Sequence, residues 1–591
     1  MFEADPGVAP LLPSGSLRAP RVAGAVSTLS WPLLKPRSPQ AVVCVLALYF
    51  LLAANGPLWV ELARIFRAPS LWLPAALAMA WLLLSGLVAV LAFSAWSRFM
   101  KPLWMALIVL AVVVQYYAGI YHVAMDPGMV ANVLHTDAAE ARELLGWQLL
   151  MQLLLIAGPM IAWLWRVPIM RRSIRANAWR NAALLALALV AAGACVGTTS
   201  NKLAPLMRNH DQLRYFMNPL AALWSAGVAV ARPLRRRPMP LALITPGTTL
   251  GAGHATDARP PLFLLVVGET ARADHFALNG YPRDTTPGLA RHRVLSWRNV
   301  TSCGTSTLAS LPCMFSPLTR SEFEARTRDT ENLLDVLQAA GLAVLWLDNQ
   351  SGGCKGVCAR VPHVQVNDPV AHPTLCEAGD CVDEVLLAGI DERLTSLPPE
   401  HRAHGVVLVL HQMGSHGPAY ARRSPPAAKR YAPECRSTVP GDCSHPELIN
   451  AYDNSIAYTD QVLARAIDWL QTRSNAFATG LLYVSDHGES LGEYGLYLHG
   501  APWRIAPSAQ KQVPMVAWLQ GGLAQRSALD SACLRRTLDT PLSHDHLFHT
   551  VLGLLDVHNA TYRRELDAFA ACRSWTGSEP TNAMGLYGDR S

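Results

Sequence analysis

The spacing of apolar residues changes character partway along this chain. Before residue 200 they come in five long stretches, at about 41–63, 71–94, 103–122, 146–165 and 181–198. Each is close to the ~20 residues a helix needs to cross a bilayer, and five in succession argue against buried helices of a soluble domain. Beyond about residue 260 the apolar runs are short and bounded by Gly or polar residues. PLFLLVV (261–267), 342–346, GVVLVL (405–410), LLYVS (481–485) and 513–519 predict buried strands. Residues 330–340 and 450–471 carry a helical period. That alternation predicts an α/β domain built on a largely parallel sheet with helices on both faces.

Charge orients the first half. Arg18, Arg21, Lys35 and Arg37 precede the first stretch, Arg98 and Lys101 separate the second from the third, and Arg166, Arg171, Arg172, Arg175 and Arg180 separate the fourth from the fifth. Positive residues collect on the cytoplasmic side, and five spans put all three groups there. Asp126, Asp137, Glu140 and Glu143 fall on the opposite side, while Arg64 and Arg67 run against the pattern. Everything after residue 200 then lies outside the cytoplasm, with the first span as an uncleaved anchor.

A chain of 591 residues exceeds one ordinary core, and its parts are legible. Residues 1–40, rich in Pro, Ser and Arg, read as a cytoplasmic tail, and 41–200 as a five-helix transmembrane domain. Residues 201–258 read as a connector, in which the apolar segment 216–230, followed by Arg232 and 235–237, suits a helix lying on the membrane surface. A Pro- and Gly-containing linker at 241–260 leads to a catalytic domain at 259–575 and a tail at 576–591.

Composition adds the compartment. Of 12 cysteines, Cys44 and Cys195 lie in membrane stretches and the other ten follow residue 300. Cys303/Cys313, Cys354/Cys358, Cys376/Cys381 and Cys435/Cys443 are close pairs that predict disulfides in an oxidising space, and Cys533 and Cys572 are left to pair together. Cys354 and Cys358 could instead be half of a zinc site, but no neighbouring pair completes it. A mean hydropathy of +0.19 fits a membrane protein. The net charge of +7 suits contact with anionic membrane lipid, and no nucleic-acid-binding module is present.

Candidate chemistry sits where strands end. In open α/β sheets, ligands gather beyond the carboxyl ends of the strands. Glu269 follows the first run, His411 and His416 follow the third, and Asp486-His487 follow the fourth. Two carboxylates with an imidazole suit a tetrahedral metal ion. The loop CGTSTLASLPC (303–313) offers Thr305, Ser306 and Thr307 as hydroxyl nucleophiles for that ion to activate. His544, Asp545, His546 and His549 look metal-like by composition alone.

These residues also carry a family resemblance. VVGETARADHFALNGYPRDTTP (266–287), CGTSTLASLPCMFS (303–316), LHQMGSHGPAY (410–420) and SDHGESLGEYGLYLHG (485–500) closely resemble the lipid A phosphoethanolamine transferases, zinc enzymes of the alkaline phosphatase and sulfatase superfamily. The likeness runs in order from about residue 41 into the 550s. It implies a bundle of five transmembrane helices followed by a periplasmic α/β alkaline-phosphatase-like domain, in a monomer of the bacterial inner membrane. It makes Thr307 the nucleophile and completes one tight zinc shell from Glu269, Thr307, Asp486 and His487. His416 and His499 would contact the donor phosphate or hold a second zinc, one of them protonating the leaving group; His411 has a weaker claim. Lys355 would meet the donor phosphate. Asn132, Thr136 and Glu140, spaced four apart on one helical face, would approach the donor's ethanolamine. The segment holding His544, Asp545, His546 and His549 falls outside the metal shell. The donor would be phosphatidylethanolamine and the acceptor lipid A, with diacylglycerol released and resistance to cationic peptides such as polymyxin as the consequence. A core sugar or protein acceptor, a glycerophosphate transferase, a sulfatase and a catalytically dead scaffold are the alternatives.

Overall fold

The computed structural model describes residues 35–574 apart from 67–68, 97–99, 137, 236–238, 257, 351 and 378–379. Most of the expected cytoplasmic tail and the whole 576–591 tail lie outside the described residues, as do Arg18, Arg21, Arg67, Arg98, Asp137, Arg236 and Arg237.

The described part of the first half is built from helices. Helices α1 (Pro39–Ala53), α2 (Gly56–Ile65), α3 (Pro69–Phe93), α4 (Lys101–Ile120), α5 (Pro127–His135) and α6 (Ala138–Leu144) are followed by α7 (Trp147–Arg166), α8 (Ile174–Asn209) and α9 (Leu220–Arg235). Four segments, Trp72–Phe93, Lys101–Ile120, Trp147–Arg166 and Ile174–Ser200, are long and apolar enough to cross a membrane. The bent pair α1 and α2 forms a fifth candidate. At 36 residues, α8 far outruns the expected 181–198 and reaches about 54 Å at 1.5 Å per residue.

The first span is therefore broken, where an uninterrupted helix over 41–63 was expected. Its two pieces meet at 49°. Pro57 supplies no N–H and cannot continue the ladder of the preceding turn, and buried Asn55 repairs the gap. The Asn55 amide donates to Phe50 O at 2.8 Å and to Asn218 O at 2.7 Å, while Asn218 donates to Ala54 O at 2.9 Å and Ala111 O at 2.6 Å. Backbone freed inside an apolar layer must find partners of this kind. The amphipathic α9 packs on α5, and Ser225 Oγ donates to Met125 O at 2.8 Å.

The second half is built on one sheet of eight strands. In chain order these are β1 (Pro261–Gly268), β2 (Leu295–Thr301), β3 (Ala343–Asp348), β4 (His363–Gln365), β5 (Val406–His411), β6 (Ala478–Ser485), β7 (Gln512–Leu519) and β8 (Leu542–Ser543). Their order across the sheet is β8-β2-β7-β6-β1-β5-β3-β4, and β7 alone runs against the others. Every residue of β1, β5 and β6 is buried, because the sheet is covered on both faces. Phe263, Leu265 and Val267 enter one core and Leu262, Leu264 and Val266 the other, the two-residue period of a strand. The longest helix of this half, α11 (His445–Arg473), packs on the second face.

Register brings the chemistry to one edge. Val267 pairs with both His411 and Val484, and Gly268 with Ser485. The next residues, Glu269 and Asp486, therefore emerge side by side next to the end of β5. All five expected cysteine pairs are disulfides, the Cys533–Cys572 pair included, and Cys44 and Cys195 are free. The segment expected as a linker is tied down: Glu331 accepts from Ile244 N, Thr245 N and Thr245 Oγ1, and Thr249–Leu250 pairs with Val557–His558.

The two halves touch beside the strand ends. Tyr121 Oη donates to Thr438 O at 3.0 Å, and Tyr497 N to Tyr121 O at 3.2 Å. Gly500, at φ +85°, lies so close to α5 that a side chain there would meet Met129 Cε at 2.8 Å and Asn132 Nδ2 at 3.1 Å. A left-handed backbone at this approach suits glycine.

Candidate active site

The loop carrying Thr305 and Ser306 leaves β2 and runs into α10 (Thr307–Met314). Its turn is tight: a side chain at Gly304 would strike Ser310 N at 2.7 Å. The Cys303–Cys313 bridge closes the loop, and buried His544 holds it, accepting from Cys303 N at 3.0 Å and donating through Nε2 to Ser485 O at 2.9 Å. His544 is thus a strut between loop and sheet. His549 likewise bonds Pro317 O and Arg563 N, His546 caps Ser543, and Asp545 accepts from Arg320 N. None of the four joins the metal-like cluster.

Among the three loop hydroxyls, the surroundings separate the candidates. Thr305 is buried and donates to Ala501 O at 2.7 Å, and Ser306 is buried and donates to Asn132 Oδ1 at 3.2 Å. Thr307, at the first turn of α10, is part-exposed, and its Oγ1 lies 3.1 and 3.3 Å from the Glu269 carboxylate and 3.5 Å from His487 Nε2.

Glu269, Asp486 and His487 form the one group of metal-ligating type among the described residues, their ligand atoms within 4.8 Å of one another. His487 Nε2 is 3.2 Å from Glu269 Oε1 and 3.3 Å from Asp486 Oδ2. His487 Nδ1 donates to Gly488 O at 2.9 Å, which turns Nε2 towards the cluster. Asp486 Oδ2 is fully buried with no hydrogen-bond partner among the described residues, and His487 Nε2 lies 3.3 Å from it, so the oxygen depends on a positive group facing it. Burial, then the neighbouring Glu269, pushes the Asp486 carboxyl up to about 7. Burial alone would lower His487, but Asp486 and Glu269 reverse this and raise its imidazole to about 10. Two buried carboxylates, an imidazole nitrogen and a hydroxyl within reach of one point fit a zinc ion.

The backbone around the cluster is forced. Thr270, the residue after Glu269, sits at φ +53°, a costly region for a β-branched residue. Its carbonyl accepts from Tyr452 Oη at 2.7 Å, and Ala271 N donates to Ser485 Oγ at 2.8 Å. Side chains at Gly414 and Gly488 would strike Glu269 O at 2.5 Å and Ala509 O at 2.0 Å, so both loops can close on the site only as glycine.

The remaining histidines are placed differently from one another. His416 is buried, and burial pushes its imidazole down to about 3. Its ring centroid is 5.2 Å from that of His499, which is 4.5 Å from that of His487. His499 Nδ1 bonds Glu489 Oε2 at 2.9 Å, and Tyr420 Oη donates to the other Glu489 oxygen at 2.6 Å. His411 is fully buried, with Nδ1 3.0 Å from Asp348 Oδ1 and Nε2 without a hydrogen-bond partner. Lys355, at φ +47°, lies five residues past Gln350, whose amide donates to Glu269 Oε2 at 2.6 Å.

The membrane-side residues do not share one helical face. The helix ends at His135, where Thr136 turns extended and its hydroxyl donates back to Asn132 O at 3.0 Å, and α6 starts afresh at Ala138. A β-branched residue bonding four residues back competes with helix continuation. The break still delivers two of the three to the site. Asn132 meets Ser306 of the loop before α10, and Glu140 Oε1 comes within 3.8 Å of His416 Nε2.

Glu489, Gln350, Asp348, Glu143 and Arg423 are polar groups at the site to which sequence reasoning assigned no role there. Only Glu489 carried a usable signal, adjoining Asp486-His487-Gly488 in one motif.

The comparisons agree across both halves. Residues 261–557 match the sulfatase family model, and residues 83–234 the model described as phosphoethanolamine transferase EptA/EptB. Phosphoethanolamine transferase EptA of Escherichia coli (strain K12) is 38% identical over 496 residues, covering 82% of this chain and 88% of the relative. Phosphatidylethanolamine transferase Mcr-1 of Escherichia coli is 36% identical over 483 residues, covering 78% and 85%. The solved structure of the integral membrane lipooligosaccharide phosphoethanolamine transferase A of Neisseria meningitidis matches with a TM-score of 0.85 at 34% identity, over 91% of this chain and 99% of that one. With membrane-type helices leading into a sulfatase-type α/β domain, the chain belongs to the phosphoethanolamine transferase family.

Proposed function

We propose that the chain moves phosphoethanolamine from phosphatidylethanolamine to lipid A in two displacements, with Thr307 as the carrier. The observation that bears most on this reading is the part-exposed Thr307 hydroxyl, 3.1 Å from buried Glu269 at the start of α10. Glu269, Asp486 and His487, with Thr307, would hold one zinc ion. Bound there, zinc supplies the positive charge that lowers the hydroxyl's pKa and offsets charge on the phosphoryl oxygens.

In the first displacement the Thr307 oxygen–phosphorus bond forms as the bond from phosphorus to the diacylglycerol oxygen breaks. Thr307 gives up its proton to solvent and His499 supplies one to the departing oxygen, while buried His416 stays neutral against the donor phosphate. Glu489 holds His499 through Nδ1 and leaves Nε2 for that transfer. The positive end of α10, where Thr307 sits, would favour negative charge on the phosphoryl oxygens. His416 and Lys355 contact the donor phosphate, while Asn132 and Glu140 meet the ethanolamine ammonium, with Thr136 shaping the turn between them. In the second displacement a lipid A phosphate attacks phosphorus and frees Thr307. His411, held by Asp348 behind Glu269, supports the zinc ligands. We read the protein as a monomer of the bacterial inner membrane with its α/β half in the periplasm, where the five disulfides can form.

The relatives' names support this choice of lipids, one naming phosphatidylethanolamine and another lipooligosaccharide. Mass spectrometry of lipid A from a Gram-negative host expressing this chain is the test. The expected result is one added phosphoethanolamine per modified phosphate, with a raised polymyxin tolerance. Unchanged lipid A despite folded protein in the membrane would move the acceptor to a core sugar or a protein.

A further inference from the structure

Helix α6 reaches the catalytic half through a buried ion pair that the transfer chemistry leaves unused. Glu143, near the end of α6, is 8% exposed, and Arg423, in the loop after β5, is 5% exposed. Arg423 Nη2 donates to Glu143 Oε2 at 2.7 Å, and its Nε donates to His416 O at 2.7 Å. Asp380, on the hairpin closed by Cys376–Cys381, lies 3.7 Å from Arg423 Nη1 and 3.7 Å from Arg422 Nη1, and Arg422 Nη1 is 3.9 Å from Glu143 Oε1. Glu140, one helical turn before Glu143, faces the His416 side chain at 3.8 Å. One short helix thus grips the same histidine twice, at the ring through Glu140 and at the main chain through Glu143 and Arg423.

A buried ion pair adds little net stability over packed apolar side chains, because both charges leave water. What it does specify is geometry, since a guanidinium fork holds two acceptors in fixed directions. We propose that Arg423 is a positioning residue which, paired with Glu143, latches α6 onto the catalytic half and sets His416 towards the donor. His416 is then in register only when the membrane-side helix that meets the donor headgroup is docked. This rests on the role given to His416 above.

The test uses the full-length protein in mixed micelles with fluorescent short-chain phosphatidylethanolamine, reading diacylglycerol release. A residue displaced by about 1 Å can cost ~10²-fold, so Arg423→Gln is expected to lower kcat by about that factor while donor KM moves less than about threefold. Because R423Q leaves Glu143 buried without its counter-charge and can fail to fold, R423K and the double variant E143Q/R423Q carry the decision. R423K, which loses the fork but keeps the charge, should lower kcat with an unchanged melting temperature. The double variant should be no slower than the slower single variant, and amides 138–144 should exchange hydrogen faster in both. Wild-type kcat in R423K and in E143Q/R423Q, with only the melting temperature lowered, would overturn the proposal and make the pair purely structural. Unchanged kcat in a parallel His416→Ala variant would sink the role of His416, while exchange at 138–144 would still report the latch.

Discussion

Thr307→Ala is expected to reduce phosphoethanolamine transfer by ~10⁴-fold or more, the scale on which a removed covalent nucleophile acts. The substitution takes away a part-exposed hydroxyl whose partners among the described residues are Glu269 and His487. The fold and melting temperature should therefore stay close to the parent's. Thr307→Ser keeps the oxygen and should retain most of the activity. The neighbours make the sharper comparison. Thr305 and Ser306 are buried and bonded to Ala501 O and Asn132, so Ala at either should cost far less in rate, acting through loop geometry. Activity assays on the purified variants check all of these, and a T307A protein turning over at near-parental rates would contradict the assignment.

The second large effect is expected from emptying the metal site proposed at Glu269, Asp486 and His487. Asp486→Ala removes a buried carboxylate oxygen that faces His487 Nε2 at 3.3 Å, and Glu269→Ala removes the group that faces both Thr307 and His487. Either change should empty the site, seen as loss of protein-bound zinc by elemental analysis, and lower transfer by at least ~10³-fold. Stripping the parent with a strong chelator should do the same, with activity returning on zinc addition. The stripped protein should stay folded, because the α/β core on both sheet faces does not involve the site. Full activity in a zinc-free sample would end the metal reading.

What could be read from sequence follows from where each interaction is satisfied. The strands β1, β5 and β6 are continuous apolar runs because both sheet faces are covered, and that signal is local. Glu269, Asp486 and His487 stand immediately after such runs, so their convergence was legible as well. The reversed direction of β7 was not, since strand direction depends on the path of the connection and not on composition. The broken first span was equally hidden: Gly56-Pro57 hints at a bend, but Asn55 is completed by Asn218, 163 residues away. The helix break after His135 had no stronger signal than Thr136 itself. Supporting polar groups were the hardest class. Arg423 reads as a surface arginine until Glu143, 280 residues earlier, is placed against it. Gln350 is likewise ordinary until its amide meets Glu269. The histidines 544, 546 and 549 show the converse, a metal-like composition whose nitrogens are spent on backbone groups and a cap.

The most direct test of the central claim is to incubate the zinc-loaded protein with phosphatidylethanolamine in the absence of acceptor and map the modified peptide by mass spectrometry. A single phosphoethanolamine on Thr307, discharged when lipid A is added, is the predicted result. The same group on Ser306 or Thr305, or acceptor modification proceeding at full rate with no protein adduct, would contradict it.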